Sequence, residues 1–278
     1  MTSVLTGSDV GLTATDLTIS YDARPAVHQA GFTLEPGKVT AFIGPNGSGK
    51  STLLRTVARL HKPDSGSVTL GDDERVDAFA LSSRDFAKRV TLLTQGRPTP
   101  GGTTVKEVVD YGRHPHRSRW TAKDPDGAAV VERAMRLTNT HELTDSPVAA
   151  LSGGQLQRVW LASCLAQDTQ VLLLDEPTTY LDLRYQVEIL DVIRDLAVEH
   201  GVTVGVVLHD LDQAAAIADH LVLLEAGTIT TAGSAAHVLT AENLTRAFGV
   251  RVDVTIDAAT GSLTTRAVGR HTYLSLTP

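Results

Sequence analysis

The 278-residue sequence holds a single cysteine, Cys164. That excludes an internal disulfide framework and a cysteine-based zinc site. Cys164 stands in Leu161-Ala-Ser-Cys164-Leu165-Ala166, which reads as a buried helix face, so a packed thiol is expected rather than a reactive one. Aromatic residues are scarce, at 4%, and the core must therefore be built from Val, Leu, Ile and Ala. Positive charge is not in excess: 25 Lys and Arg stand against 32 Asp and Glu, a net charge of −7. A basic nucleic-acid footprint is absent, and any anionic ligand has to be held locally. Long hydrophobic runs are missing as well. Stretches such as residues 171–174 and 214–218 fall far short of the ~20 residues that span a bilayer. Residues 1–10 show no basic segment followed by an apolar run, so no signal peptide is expected and the chain reads as soluble and cytoplasmic. What is present, 42% hydrophobic and 21% charged residues, is the balance of a globular protein with a substantial core.

No fixed-period repeat or low-complexity block is visible. Strand-like stretches occupy residues 12–40, with breaks at 21–25 and 35–37. Residues 39–43 form a compact apolar strand that runs straight into glycine. A helix carrying Leu53, Leu54, Val57 and Leu60 comes next and ends before Pro63. Residues 67–70 and 90–93 read as short strands. Residues 96–103, rich in Gly, Pro and Thr, mark a break. Thr104 with Glu107 three positions later resembles a capping box, and a second helical pattern covers 125–137 with Pro125 in its first turn. The unbroken apolar run 171–174 fits a parallel strand covered on both faces. Ile189, Val192, Ile193 and Leu196 fall at helical spacing, and Gly201 can close that helix. Residues 202–208 form the next strand. A hairpin turns at 225–227, and the alternation of Val250, Val252, Val254 and Ile256 predicts a last hairpin turning near 258–261. Such alternation of strands and helices predicts an α/β fold with a mostly parallel sheet, an antiparallel β subdomain and an inserted α-helical subdomain. The expected division is a tail at 1–11, a first core segment at 12–96, a helical insert at 97–165, a second core segment at 166–240 and a C-terminal extension at 241–278, in which no motif is legible.

Gly44-Pro-Asn46-Gly47-Ser48-Gly49-Lys50-Ser51, followed by Thr52, fits the P-loop pattern G-x-x-x-x-G-K-[ST] in full. It also has a strand before it and a helix after it, as that pattern requires. The glycines let backbone N–H groups turn inward around phosphate oxygens. The helix start adds unpaired N–H groups and a positive dipole end. Lys50 supplies a mobile charge for the β- and γ-phosphates, and the Ser51 hydroxyl can ligate Mg²⁺. A dinucleotide site is disfavoured, because Lys-Ser marks a triphosphate site and the G-x-G spacing is broken. The core is thus expected to be that of a P-loop NTPase.

The strand at 171–174 ends in Asp175-Glu176, at the carboxyl end of a parallel strand where ligands are met. Asp175 can hold Mg²⁺. Glu176 can reach a water beyond the γ-phosphate as general base; taken alone it also fits a turn cap before Pro177. His209 comes after the 202–208 strand and is a candidate to touch the γ-phosphate. His28, His61, His200 and His237 read as solvated. His114-Pro-His116 invites a metal reading, but no Cys or carboxylate stands close by at ligand spacing, and an exposed loop is preferred.

Leu151-Ser152-Gly153-Gly154-Gln155 opens another helix. Ser152 is a plausible N-cap, and the two glycines leave the helix start open for an anion. A second phosphate-binding helix start on one chain makes sense if it completes the site of another subunit. With these residues in place, the chain over residues 12–240 resembles the nucleotide-binding subunits of ABC transporters. The resemblance implies that Tyr21 stacks on adenine, that Gln95 lies near Mg²⁺ and the attacking water, and that Asp182 belongs to a loop between subunits. It implies two ATP molecules sandwiched head to tail by a homodimer or heterodimer of ATPase subunits, with the P-loop of one facing the 151–155 stretch of the other. It further implies Mg²⁺ as cofactor, transmembrane permease partners reached through the 97–120 segment, an indirect link to a substrate-binding protein, and a peripheral place on the cytoplasmic face of the membrane.

Three features are similar to the iron-chelate branch of these importers: Thr178-Thr179-Tyr180-Leu181-Asp182, the stretch Tyr111-Gly-Arg-His-Pro-His-Arg117, and Trp160. They imply ATP-driven uptake of a ferric siderophore. Haem and cobalamin importers share much of this pattern and stay open as alternatives. So, further off, does a soluble ABC-type ATPase. The stretch between Lys50 and Asp175 is too short for the long coiled coils of chromosome-maintenance ATPases, and there is one cassette rather than the two of translation factors.

Overall fold

The computed structural model describes residues 10–21, 24–71, 75–94, 96, 101–117, 124–179 and 181–269. In chain order its elements are β1 (Leu12–Tyr21), β2 (Arg24–Leu34), β3 (Val39–Ile43), α1 (Lys50–Val57), β4 (Ser65–Leu70), β5 (Val76–Asp77), α2 (Ser83–Ala87), β6 (Val90–Leu93), α3 (Val105–Asp110), α4 (Gly127–Leu137), α5 (Gly153–Ala166), β7 (Val171–Asp175), α6 (Leu183–Val198), β8 (Thr203–Val207), α7 (Leu211–Ile217), β9 (His220–Glu225), β10 (Thr228–Gly233), α8 (Ala235–Val238), α9 (Ala241–Phe248), β11 (Val252–Ile256) and β12 (Leu263–Ala267).

The central sheet runs β10-β9-β3-β8-β7-β6, parallel except for the β9–β10 hairpin at its edge. Its inner strands are buried on both faces. Along β3, Val39, Ala41 and Ile43 join the core on the helical side, while Phe42 joins the core beneath the antiparallel sheet. Leu172 and Leu174 of β7 split from Val171 and Leu173 in the same way. This is why these segments read as unbroken apolar runs. The antiparallel sheet, β2-β1-β4-β5, covers one face of the central sheet and shares its core with Leu53, Leu54 and Val57 of α1.

Helix α1 ends earlier than the sequence pattern predicts. Arg59 adopts a left-handed conformation with φ 61°. The N–H of Leu60 reaches back to the Arg55 carbonyl and that of Arg59 to Thr56, a Schellman closure with arginine where glycine is usual. The Arg59 guanidinium lies over the Phe86 ring at 4.8 Å and donates to the Leu81 carbonyl. These contacts offset the backbone strain, and they leave Leu60 exposed rather than on the helix face.

The expected capping box at Thr104–Glu107 starts α3. After α3, His114 is exposed as expected, while Gly112, Arg113 and His116 are packed against the end of α5 rather than in an exposed loop. Gly112 lies so close to α5 that an added Cβ would stand 2.0 Å from the Ser163 carbonyl oxygen. The Arg113 guanidinium is buried, grips Asp124 with two hydrogen bonds and donates to the Ala166 carbonyl. His116 is half-buried, with Nε2 2.7 Å from the Gln167 carbonyl oxygen; burial lowers its pKa from the ordinary value. Both side chains thus cap the last carbonyls of α5, where a helix wants donors and positive charge. His61, expected to be solvated, packs its ring on Tyr21 at 4.4 Å between centroids.

The Arg113 hydrogen bonds hold the Asp124 carboxyl below its ordinary pKa. A carboxyl whose folded pKa is depressed contributes stability above its unfolded pKa and loses it as pH falls through the folded one. Asp124→Asn is therefore expected to cost about 1–3 kcal/mol at neutral pH. In urea titrations monitored by circular dichroism, that difference should shrink below about pH 4.

The terminal hairpin β11–β12 forms as expected, with Asp257 accepting from the Ala259 and Thr260 N–H groups in its turn. It docks on α7: Thr265 donates to Asp212 Oδ1 from its backbone N–H (2.7 Å) and its hydroxyl (2.9 Å). Among the described residues, no helix is long and apolar enough to cross a membrane.

Candidate functional site

Strands β3, β8 and β7 are neighbours in the sheet. Their carboxyl ends release, at one edge, the glycine-rich loop, His209 and Asp175-Glu176. This is the edge of an open parallel sheet at which ligands bind.

Gly49 caps α1 with φ 100°, and a Cβ there would meet the Ala26 carbonyl oxygen at 2.8 Å. Gly47, at φ 78°, has nothing within 4 Å of where a Cβ would point, so the loop is open on that side. Lys50 is 5% exposed, and its Nζ donates to the Gly44 and Pro45 carbonyls at 2.8 and 2.9 Å. An ammonium has three donors, so one remains for an anion. Burial pushes this lysine below its ordinary pKa, against the raising influence of Glu176 and Asp175. Ser48 is buried, and its Oγ has no hydrogen-bond partner among the described residues.

Ser51 Oγ donates to Asp175 Oδ1 at 2.6 Å, and Arg55 Nη2 lies 3.3 Å from Asp175 Oδ2. Ser51 and Arg55 are four apart on α1, hence on one face. Among the described residues, no three His, Cys, Asp or Glu side chains form a metal site of their own. A hydroxyl and a carboxylate side by side are the partial oxygen set that a hard divalent cation completes with phosphate oxygens and water.

Glu176 sits in the left-handed region at φ 57°, a strain of about 1–3 kcal/mol of the kind stored at functional sites. Its N–H is held by the Val207 carbonyl of the neighbouring strand. Its carboxylate is held at both oxygens: His209 Nε2 is 2.6 Å from Oε1, and the Thr179 hydroxyl is 3.3 Å from Oε2. The short contact places the His209 ring proton on Nε2, since the carboxylate can only accept.

Asn46, Gly47, Gly49, Lys50, Ser51, Thr52, Glu176 and His209 line one cleft of about 170 Å³. Ser152, Gly153, Gly154, Gln155, Asp182 and Tyr21 do not line it. Ser152 and Gln155 form a reciprocal capping box at the exposed start of α5. Asp182 caps α6, accepting from the Tyr185 N–H. Tyr21 is 43% exposed beside His61. Gln95 and Tyr180 lie outside the described residues. Arg55 and Thr179 hold the site carboxylates, a role that the sequence patterns do not assign them. The four-residue spacing from Ser51 is a usable signal for Arg55; Thr179 has none of its own.

The family model described as "ABC transporter" matches residues 27–179. The ferric enterobactin transport ATP-binding protein FepC of Escherichia coli (strain K12) is 41% identical over 96% of this chain and 97% of its own. The iron(3+)-hydroxamate import ATP-binding protein FhuC of Bacillus subtilis (strain 168) is 39% identical over 90% and 91%. Among solved structures, an ABC transporter of metal-chelate type in an inward-facing conformation matches with a TM-score of 0.79 and 29% identity, covering 94% of this chain and 97% of that one. A phosphate loop, a carboxylate pair and a histidine meeting at one sheet edge, in a chain matched along nearly its whole length by such relatives, show that the protein belongs to the ABC transporter family.

Proposed function

We infer that the chain is the ATP-hydrolysing subunit of an ABC importer and energises uptake of a ferric siderophore through permease partners. The observation that carries the ATPase reading is the convergence of Lys50, the Ser51–Asp175 pair and the Glu176–His209 pair in one cleft. The cargo reading is supported by the relatives, which are ATP-binding proteins of ferric enterobactin transport and iron(3+)-hydroxamate import.

In this reading the P-loop N–H groups and Lys50 grip the β- and γ-phosphates, and the exposed ring of Tyr21, backed by His61, is the platform for adenine. Ser51 and Asp175 would hold Mg²⁺, and the family resemblance assigns Gln95, outside the described residues, to the same ion. An ion at that pair would supply neutralisation of the charge that builds on the phosphate oxygens. Glu176 takes a proton from the attacking water, whose oxygen bonds to the γ-phosphorus as the bond to the bridging oxygen breaks and ADP leaves. His209 and Thr179 fix the carboxylate so that one lone pair faces that water. The His209 Nε2–H is also close enough to the cleft to be shared with the γ-phosphate.

The remaining phosphate contacts come from a second ATPase subunit. The Ser152–Gln155 capping box leaves the Gly153 and Gly154 N–H groups at the helix start for an anion. Gly153 is exposed and neither glycine lines the cleft, which fits a contact made in trans, with Asp182 at the same junction. ATP then binds as a shared ligand that favours the closed pair, and its hydrolysis removes the phosphate that joins the halves. Such a subunit works as a peripheral protein on the cytoplasmic face of the membrane.

Uptake of ⁵⁵Fe-labelled catecholate and hydroxamate chelates in a deletion strain tests the cargo. Loss of uptake restored by the wild-type chain, and not by Glu176→Gln, is the expected result. Normal ferric-chelate uptake with lost cobalamin uptake would overturn the cargo reading and leave the ATPase reading standing.

A further inference from the structure

We propose that Gln213 is a positioning residue that ties the partner-facing turn at Asp182 to the Glu176–His209 pair. The inference rests on the ATPase reading. Three polar side chains from three elements meet in one chain of hydrogen bonds. Thr178, buried two residues after Glu176, donates its hydroxyl to Gln213 Oε1 at 3.1 Å. Gln213 lies on α7, four residues beyond His209, and its Nε2 donates to Gln186 Oε1 at 2.9 Å. Gln186, on α6, donates its own Nε2 to the carbonyls of Leu181 at 3.1 Å and Thr178 at 3.4 Å. Leu181 is the residue before Asp182.

The donor and acceptor roles leave no freedom. The two carbonyl oxygens can only accept, so Gln186 must present its NH₂ to them and its Oε1 to Gln213. Gln213 must then present NH₂ to Gln186 and Oε1 to the Thr178 hydroxyl. Turning either amide sets oxygen against oxygen. A half-buried network with a single consistent arrangement rigidifies what it joins. Here it joins the loop carrying Glu176, the turn before α6 that would meet a second subunit, and helix α7, which begins two residues after His209. The Asp182 turn reaches Glu176 through Thr178 and Thr179; the side-chain bonds from that turn to α7, the helix that follows His209, run through Gln213, so Gln213 is a second link through which closure against a partner adjusts the His209–Glu176 contact.

Gln213 does not line the cleft, so its loss should leave nucleotide binding in place and slow hydrolysis of the bound nucleotide. The test measures steady-state ATP hydrolysis by the full chain, with nucleotide affinity and Tm measured alongside. The variants are Gln213→Leu; Gln213→Glu, which keeps shape and loses the donor; and Thr178→Val, which loses only the hydroxyl.

Each is expected to lower kcat about tenfold or more, with ATP affinity within about twofold of wild type. The Hill coefficient for ATP should fall towards one, a change a merely structural role would not produce. In a double-mutant cycle, Gln213→Leu with Gln186→Leu should be no slower than either single variant, because the two residues act through one link. Wild-type kcat and cooperativity in folded Gln213→Glu and Thr178→Val, or multiplicative losses in the double variant, would overturn the proposal. A wild-type chain that binds ATP and does not turn it over, alone or with its permease, would overturn the ATPase reading and this inference with it.

Discussion

Glu176→Gln is expected to reduce ATP turnover by about 10²- to 10⁴-fold, the contribution of a positioned general base, while ATP binding persists. The geometry makes the change local. An amide keeps the length of the side chain, and the His209 Nε2–H can still donate to its oxygen, as it does across 2.6 Å to the carboxylate. What disappears is the basic lone pair directed at water. Because the left-handed backbone at residue 176 is held by its own N–H on the Val207 carbonyl, the loop should keep its place. With the phosphate shared between subunits as proposed, the variant should accumulate as ATP-bound closed pairs, read by size exclusion with ATP. Turnover within tenfold of wild type would remove Glu176 from the role of base.

Lys50→Ala is expected to weaken ATP binding roughly 10- to 100-fold, the loss of about 1.5–3 kcal/mol from a charge-assisted hydrogen bond. The fold should lose much less. Burial already pushes this ammonium below its ordinary pKa, so its removal relieves a desolvation cost at the same time as it frees the Gly44 and Pro45 carbonyls. Fluorescent-nucleotide titration together with Tm separates the two effects: a Kd within twofold of wild type in a folded variant would contradict the phosphate role.

Whether a feature is legible in the sequence depends on where its interacting residues sit along the chain. The P-loop, Asp175-Glu176 and the Ser152 helix start are local patterns: a few adjacent residues fix both the backbone and the chemistry. The strands β3, β7 and β8 stand out because burial on both faces leaves no polar position to confuse the pattern. The helical pattern of α1 overruns its true end because Arg59 does a glycine's work, paid for by Phe79, Phe86 and the Leu81 carbonyl. No local pattern shows that. Residues 111–117 read as a loop because their partners, Asp124, Ala166 and Gln167, lie well downstream. The same distance hides the Thr178–Gln213–Gln186 chain and the grip of Thr265 on Asp212. The terminal hairpin is visible from its alternation, and its docking on α7 is not.

The central claim is that one triphosphate is held by two chains, and the structure of Glu176→Gln with ATP in the assembled transporter tests it most directly. The Ser152 hydroxyl and the Gly153 or Gly154 N–H of one protomer are expected at about 3 Å from the γ-phosphate bound to Lys50 of the other. A closed, ATP-loaded assembly with the start of α5 out of reach of every phosphate would contradict it.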